Sequence, residues 1–434
     1  MLTHIRDDWT IESVKMGSIY RGAYLTIAAS LASADDEGFL HASRERDVYT
    51  ATELHIPFRG EMISDVWTRR IHDFRLHSFH NIKEPLATRA WTMQERVLSS
   101  RLLSYSSSVT FECTASVMCE CGHSMYPDPF YPPLHMIQGL DNKHAFLSLL
   151  SGEEQQPISK MYSLWSDMVT VYSGRKLTYE TDRQIAISAI SRALARAYGD
   201  EYVAGLWAGN MLHGLAWYND IRTPCVKDVK GSDSDQPPSW SWLSAEKLVF
   251  MTSFNPGSCR VISMDVQNGG TDDPGPARGC VTLKAETGVM TIHLVGGGQL
   301  DSETSGISKF EISGRQKKPV SEFEINQFLL DRPISKDVGI EGATTHLDNT
   351  AANQNSTLAE PIEATWSIGV LCVHLGKNQV STGGPMSDIF LALVKREDSG
   401  RMYYSRIGFV RATLSAESLQ DWLGGSDVNE LTIY

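Results

Sequence analysis

The apolar pattern of this chain turns from helical, over about 157–214, to β-like after residue 248, and that switch limits the fold more than any other feature. Before it, apolar residues recur three and four positions apart, as on one face of a helix. The clearest case is Met161, Leu164, Trp165, Met168, Val171 and Tyr172. A second runs through Ile185, Ile190, Leu194 and Tyr198, with Thr181 or Asp182 as the expected cap and Gly199 as a stop. After the switch, short β-branched runs alternate with Gly, Asp and Ser. They predict strands at 281–284, 289–295, 310–312, 368–373, 389–394 and 407–412. A chain patterned this way is neither all-helical nor all-β, and α+β is the class that accommodates both halves.

The N-terminal quarter adds an α/β signature. Residues 7–24 predict a helix capped by Asp7 or Asp8, with Trp9, Met16, Ile19, Tyr20 and Ala23 as its apolar stripe. Residues 25–30 follow directly and predict a buried strand. Residues 88–98 predict a short helix, and 101–105 with 109–113 a hairpin. Tyr202–His213 predicts a third long helix, and the four prolines of 126–133 interrupt regular structure. The polar run 342–357 predicts a disordered insertion. These segments divide the chain into 1–125, 126–245 and 246–434. That number of parts suits 434 residues at about 150 per domain. Trp91, Trp165, Trp207, Trp240 and Trp242 are expected in cores.

Charge narrows the function classes. Asp and Glu number 52 against 39 Lys and Arg, a net charge of −13. Such a surface repels phosphate backbones, and no run of five or six basic residues offsets it, so no nucleic-acid partner is expected. No apolar stretch approaches the roughly 18 residues that would span a bilayer. The first residues hold no apolar secretion signal, so a cytoplasmic setting with its seven cysteines reduced is expected.

No phosphate-binding loop, dinucleotide fingerprint, zinc-protease motif or nucleophile elbow is present. Cys113, Cys119, Cys121 and His123 cluster, but C-x-C-x-H is not a zinc knuckle, and free thiols are the expectation. Asp35, Asp36 and Glu37 read as a solvated loop. Two carboxylates stand out because each shares a face with apolar residues: Glu12, between Trp9 and Met16, and Glu95, between Trp91 and Leu98. A carboxylate so placed pairs with a cation, carries a raised pKa or is used chemically. Pairing with an arginine, such as Arg89 or Arg96, is the expected structural role of Glu12, and an internal ion pair with an arginine is expected of Glu95.

The blocks DDWTIESVKMGSIYRGAYLTIAAS, ADDEGFL and PLATRAWTMQERVLSSRLLSYSSSVTFEC, in that order, resemble the heterokaryon-incompatibility (HET) domain of filamentous fungi. YSGRKLTYETDRQIAISAIS, YVAGLW and PPSWSWLS resemble the region that follows it in such proteins. The resemblance covers roughly the first 245 residues. Its motif residues here are Asp8, Glu12, Met16, Ile19, Tyr20, Ala23, Arg89, Trp91, Gln94, Glu95 and Arg96. It implies a partial, TIR-like α/β domain, fungal allorecognition and programmed cell death, protein partners or self-association, and no evident cofactor. Because some TIR domains hydrolyse NAD with a helix glutamate, it also implies NAD as a possible substrate and Glu12 as the catalytic carboxylate. Family members carry a strand-rich piece before this helix, ending in a "WIDALCINQ"-like strand. His4–Asp8 would be its remnant, so the domain is expected to be N-terminally truncated, with an inactive family member as a further alternative.

Overall fold

A computed structural model describes residues 12, 15–40, 52–58, 61–68, 84–106, 109–114, 116–120, 140–151, 156–220, 236–245, 248–267, 270, 277–295, 307–312, 323–330, 344–346, 365–379, 386–398, 401–423 and 428–434. The chain forms two compact units, residues 1–199 and 200–434. This division groups the predicted helices of 157–198 with the N-terminal α/β segment, where the sequence suggested a boundary near 125. The class is α+β, as the change of period implies.

The first unit begins with helix α1 (residues 15–22) and strand β1 (Thr26–Ala28). Hairpin β2 (Thr52–Phe58) and β3 (Glu61–Thr68) follows. Helix α2 (Trp91–Leu98) then leads into β4 (Arg101–Tyr105), β5 (Val109–Cys113) and β6 (Val117–Cys119). The strands form a mixed sheet in the order β1-β4-β5-β6. β1 and β4 run parallel, so the chain must cross over between them, and α2 lies on that crossover. The expected hairpin is present with Ser104 opposite Thr110. β1 corrects the expectation of a buried strand over 25–30. It has three residues, pairs on one side only among the described strands, and leaves Ile27 56% exposed.

Helices α3 (Leu140–Ser151), α4 (Ile158–Ser173) and α5 (Ile185–Tyr198) complete this unit. Met161, Trp165, Met168 and Tyr172 of α4, and Ile187, Ile190 and Leu194 of α5, are buried. Gly199 ends α5 at φ 70°, the left-handed conformation in which a glycine C-cap is cheapest. Neither Thr181 nor Asp182 caps α5. Residues 180–182 form a 3₁₀ turn, and the helix begins at Gln184 with no side-chain cap.

The second unit opens with a correction. Tyr202–His213 is not one helix. β7 (Tyr202–Val203) and β8 (Leu206–Trp207) form a tight hairpin whose two central residues, Ala204 and Gly205, have φ 47° and 93°. Helix is limited to a 3₁₀ turn, Ala208–Asn210, and the short α6 (Met211–Gly214). A two-residue turn with positive φ at both positions matches the twist of paired strands, and this local geometry overrides the apolar spacing.

β9 (Trp217–Asn219) pairs with β10 (Val249–Met251). The remaining strands are β11 (Asn255–Pro256), β12 (Arg260–Gln267), β13 (Arg278–Val295), β14 (Ile307–Ile312), β15 (Phe323–Leu330), β16 (Thr344–His346), β17 (Thr365–Gln379), β18 (Met386–Asp398), β19 (Arg401–Leu414) and β20 (Val428–Ile433). They form one sheet. Long strand β13 changes partner along its length: residues 281–286 pair with β20 and residues 287–295 with β17. With β17-β18-β19-β20 pairing in turn, five strands close into a ring. Its closing contact, β19 to β20, is a single parallel pair, Tyr404 with Ile433. Met290, Cys372, Phe390, Ala392, Val410 and Trp422 share the enclosed core, with Trp422 supplied by helix α7 (Ala416–Trp422). β16 places three residues of the expected disordered insertion in a strand; the rest of 342–357 lies outside the described residues.

Candidate functional site

Helix α2 organises the polar groups of the first unit, and the chain holds it from both ends. At its start, the Thr92 hydroxyl reaches the Leu86 and Arg89 carbonyls, each at 2.8 Å. Ala90 N–H donates to Lys176 O at 2.9 Å, and the Arg175 guanidinium reaches Arg89 O and Thr92 Oγ1. At its end, Ser99 Oγ donates to Glu95 O at 2.6 Å and meets Thr26 Oγ1 of β1 at 2.8 Å. Ser100 Oγ donates to Arg21 O, which ties α1 to the α2–β4 turn.

Glu95 lies on the partly buried side of α2 facing α1. It is hydrogen-bonded to Tyr20, with the Arg89 charge nearby. Burial raises the Glu95 pKa, opposed by the Tyr20 hydrogen bond and by Arg89. The same pair raises Tyr20 to about 12, chiefly by burial and then by the Glu95 charge. A carboxylate of this kind beside a phenol and an exposed arginine can hold or accept a proton, or stabilise a cation.

A second cluster lies under the helix. Glu112 of β5 is 1% exposed and accepts two bonds from Arg96, at 2.8 Å and 3.3 Å, with Lys143 Nζ at 3.7 Å. Burial lowers Lys143 to about 8, opposed mainly by Glu112. Glu84 shares Arg96 from the other direction. Burial raises its carboxyl to about 7 against the pull of Arg96 and a hydrogen bond to Ser106. Glu112 shares the buried sheet face with Ser104, Thr110 and Cys119. Two cations and the bidentate geometry of Arg96 take the place of the water that this buried carboxylate loses.

The motif residues are distributed unevenly. Tyr20, Arg89 and Glu95 come together, as do Arg96 and Glu112. The Trp91 indole donates to Asp182 Oδ2 at 3.3 Å, and burial raises the Asp182 pKa. Gln94 is fully buried, and neither atom of its amide finds a partner among the described residues. Met16 and Ala23 are half-buried, while Ile19 is 55% exposed. Asp8 and Trp9 lie outside the described residues, as does Asp7.

Glu12 corrects the sequence reading of its environment. Its side chain is 48% exposed and pairs with Lys15 at 2.7 Å, one turn along the helix. Neither Arg89 nor Arg96 is its partner. The stripe it belongs to is only partly covered, so helical spacing alone overstated its burial. For Glu95 the expected internal ion pair with an arginine is not seen among the described residues: Tyr20 is its hydrogen-bonding partner, and Arg89 acts as a nearby charge. Glu84, Glu112 and Lys143 were not singled out in the sequence, and Asp182 only as a helix cap, because their roles arise from neighbours brought in by the fold.

Cys113 and Cys119 are free thiols, and no group of His, Cys, Asp or Glu suited to a metal exists among the described residues. Cys121 and His123 lie outside them. Glu37 of the acidic loop accepts from the Ser33 hydroxyl at 2.6 Å. In the second unit, His374 joins β17 to Asp388 of β18 at 2.9 Å, with Glu286 of β13 4.0 Å from its other nitrogen. No helix among the described residues is long and apolar enough to cross a membrane.

No curated protein and no solved structure matches the chain. One family model does, "Heterokaryon incompatibility protein (HET)", over residues 3–95. The match ends at Glu95 and takes in α1, β1, Arg89, Trp91 and Gln94, so the groups that converge on α2 come largely from it. Over residues 3–95 the chain is therefore similar to the heterokaryon-incompatibility (HET) domain family.

Proposed function

We propose that this chain is a cell-death effector or signalling module of fungal allorecognition, acting through protein partners or self-association. The family match over residues 3–95 carries the reading. A distant likeness to TIR domains belongs to the same proposal, and the parallel β1–β4 pair with α2 on its crossover supports it. The test is induced expression of the full chain in yeast, with viability followed beside oligomeric state by light scattering. Growth arrest that rises with assembly is expected. Arrest by a chain that stays monomeric would overturn the assembly mechanism.

A second reading is NAD cleavage. Its support is the Tyr20–Glu95–Arg89 group, a carboxylate in a low-dielectric setting that could face a developing ribosyl cation. Glu12 is the residue the resemblance nominates, but an exposed carboxylate paired with Lys15 offers weaker electrostatics. NAD measured during the same induction separates the readings. Loss of NAD before death, abolished by Glu95→Gln and retained in Glu12→Ala, would make the chain an NAD glycohydrolase centred on Glu95. Loss abolished only by Glu12→Ala would return the role to Glu12. Death with NAD intact leaves the assembly reading.

A further inference from the structure

We propose that the cleft between α1 and α5 is a binding site for the polyphosphate of a nucleotide. The cleft has a volume of about 680 Å³ and lies wholly within the first unit. Ligand pockets fall in the range of about 300–1,000 Å³, so it is of small-molecule size. Its floor is the contact of the two helices, where a Cβ added to Gly17 would stand 2.9 Å from Ala189 Cβ. Such close approach requires glycine, and it draws the backbones together beneath an open trench.

Charge identifies the ligand. Arg21 of α1 and Arg192 and Arg196 of α5 line the cleft, and no acidic side chain lines it among the described residues. Arg192 and Arg196 are four residues apart, so they stand on one helix face at about 6 Å spacing. Among the described residues, Arg21 and Arg196 make no ion pair. The Arg21 and Arg196 charges are thus left for an anion to neutralise, with Arg192 a third cation in the lining. These cations line one cleft in a chain whose acidic residues exceed its basic ones by 52 − 39 = 13. Guanidinium is the side chain whose planar fork best fits phosphate oxygens. The rest of the lining is apolar or small, with Leu150, Ala193 and Ala197 offering a surface to a flat base. The cleft is too small for a folded partner, and its mixed lining suits a nucleotide better than a bare anion. This assignment does not rest on the death-signalling reading.

The test is isothermal titration of the full-length chain with ATP, inorganic pyrophosphate and inositol hexakisphosphate at 150 mM salt. Three variants accompany it: Arg21→Glu, Arg196→Glu and Ala193→Leu. The first two reverse exposed charges, and the third fills the trench while keeping all three arginines. Melting curves confirm that each variant folds. ATP is expected to bind at least tenfold more tightly than pyrophosphate, and each variant to weaken it at least tenfold. Should a variant fail to fold, Gly22→Leu replaces it, since a Cβ there meets nothing within 4 Å. Three results would overturn the assignment: no binding of ATP at millimolar concentration, affinity unchanged in the folded variants, or inositol hexakisphosphate binding without ATP.

Discussion

Glu84 and Glu95 lie eleven positions apart in sequence, and both acquire their properties from residues that arrive later in the chain or from another helix. Glu84 makes the consequence measurable. Its carboxyl is raised from 4.5 to about 7, first by burial, with Arg96 and the Ser106 hydrogen bond opposing. Between these values the folded chain binds a proton that the unfolded chain has released. The unfolding free energy therefore falls as pH rises from about 4.5 to about 7, and stays at the reduced level above that. Glu84→Gln, neutral throughout, should flatten this part of the profile in denaturant titrations at pH 5, 6 and 7. An identical slope in both proteins would show that Glu84 is ionised normally. Nothing in the sequence around Pro85 signals this. The Glu95 setting was half legible: Trp91, Glu95 and Leu98 share a face by spacing, but Tyr20 as the partner required α1 to dock there. Glu12 shows the converse, since its helical stripe is real but incompletely covered.

At the scale of elements, α2, α4, α5 and the β4–β5 hairpin were legible because periodicity and local punctuation agreed. The misreadings occurred where a tertiary contact or a tight turn overrode periodicity. The 202–213 segment is apolar enough for a helix, but the Ala204–Gly205 turn folds it into β7 and β8. Five strands of the second unit, β13, β14, β17, β18 and β19, were expected in place but too short, and β12, β15 and β20 were not expected at all. β13 was split in two because it serves two partners in succession and no periodicity announces a change of partner. That ring depends on α7, which inserts Trp422 beside Phe390 at 4.9 Å and donates its indole N–H to Val289 O at 2.9 Å. The indole lies against Gly288, where an added Cβ would meet the ring at 2.6 Å. Gly288→Ala should push Trp422 outward and cost about 1–3 kcal/mol as an overpacked core. Chemical denaturation measures it, and tryptophan emission should shift to longer wavelength as the indole meets water. A variant with unchanged midpoint and emission would mean that α7 adjusts freely and does not hold the ring.

At the scale of the whole molecule, charge sets two opposing conditions. The chain carries −13, which favours solubility and opposes association with phosphate backbones, yet one small cleft gathers three arginines. The distance over which each acts decides between them. At physiological salt, charges are screened within about 8 Å. A nucleotide inside the cleft is held by the arginines at contact distance. A duplex is too wide to enter, so most of its phosphates would face the acidic exterior, and few counterions would be released per protein bound. A short DNA duplex should therefore fail to bind, by fluorescence anisotropy, at concentrations where ATP saturates the cleft, and should not displace ATP. Duplex binding with a steep logarithmic salt dependence would reveal several lysines or arginines aligned on one face. The sequence argument against a nucleic-acid partner would then fail, because net charge would have hidden a basic surface formed only in the folded chain.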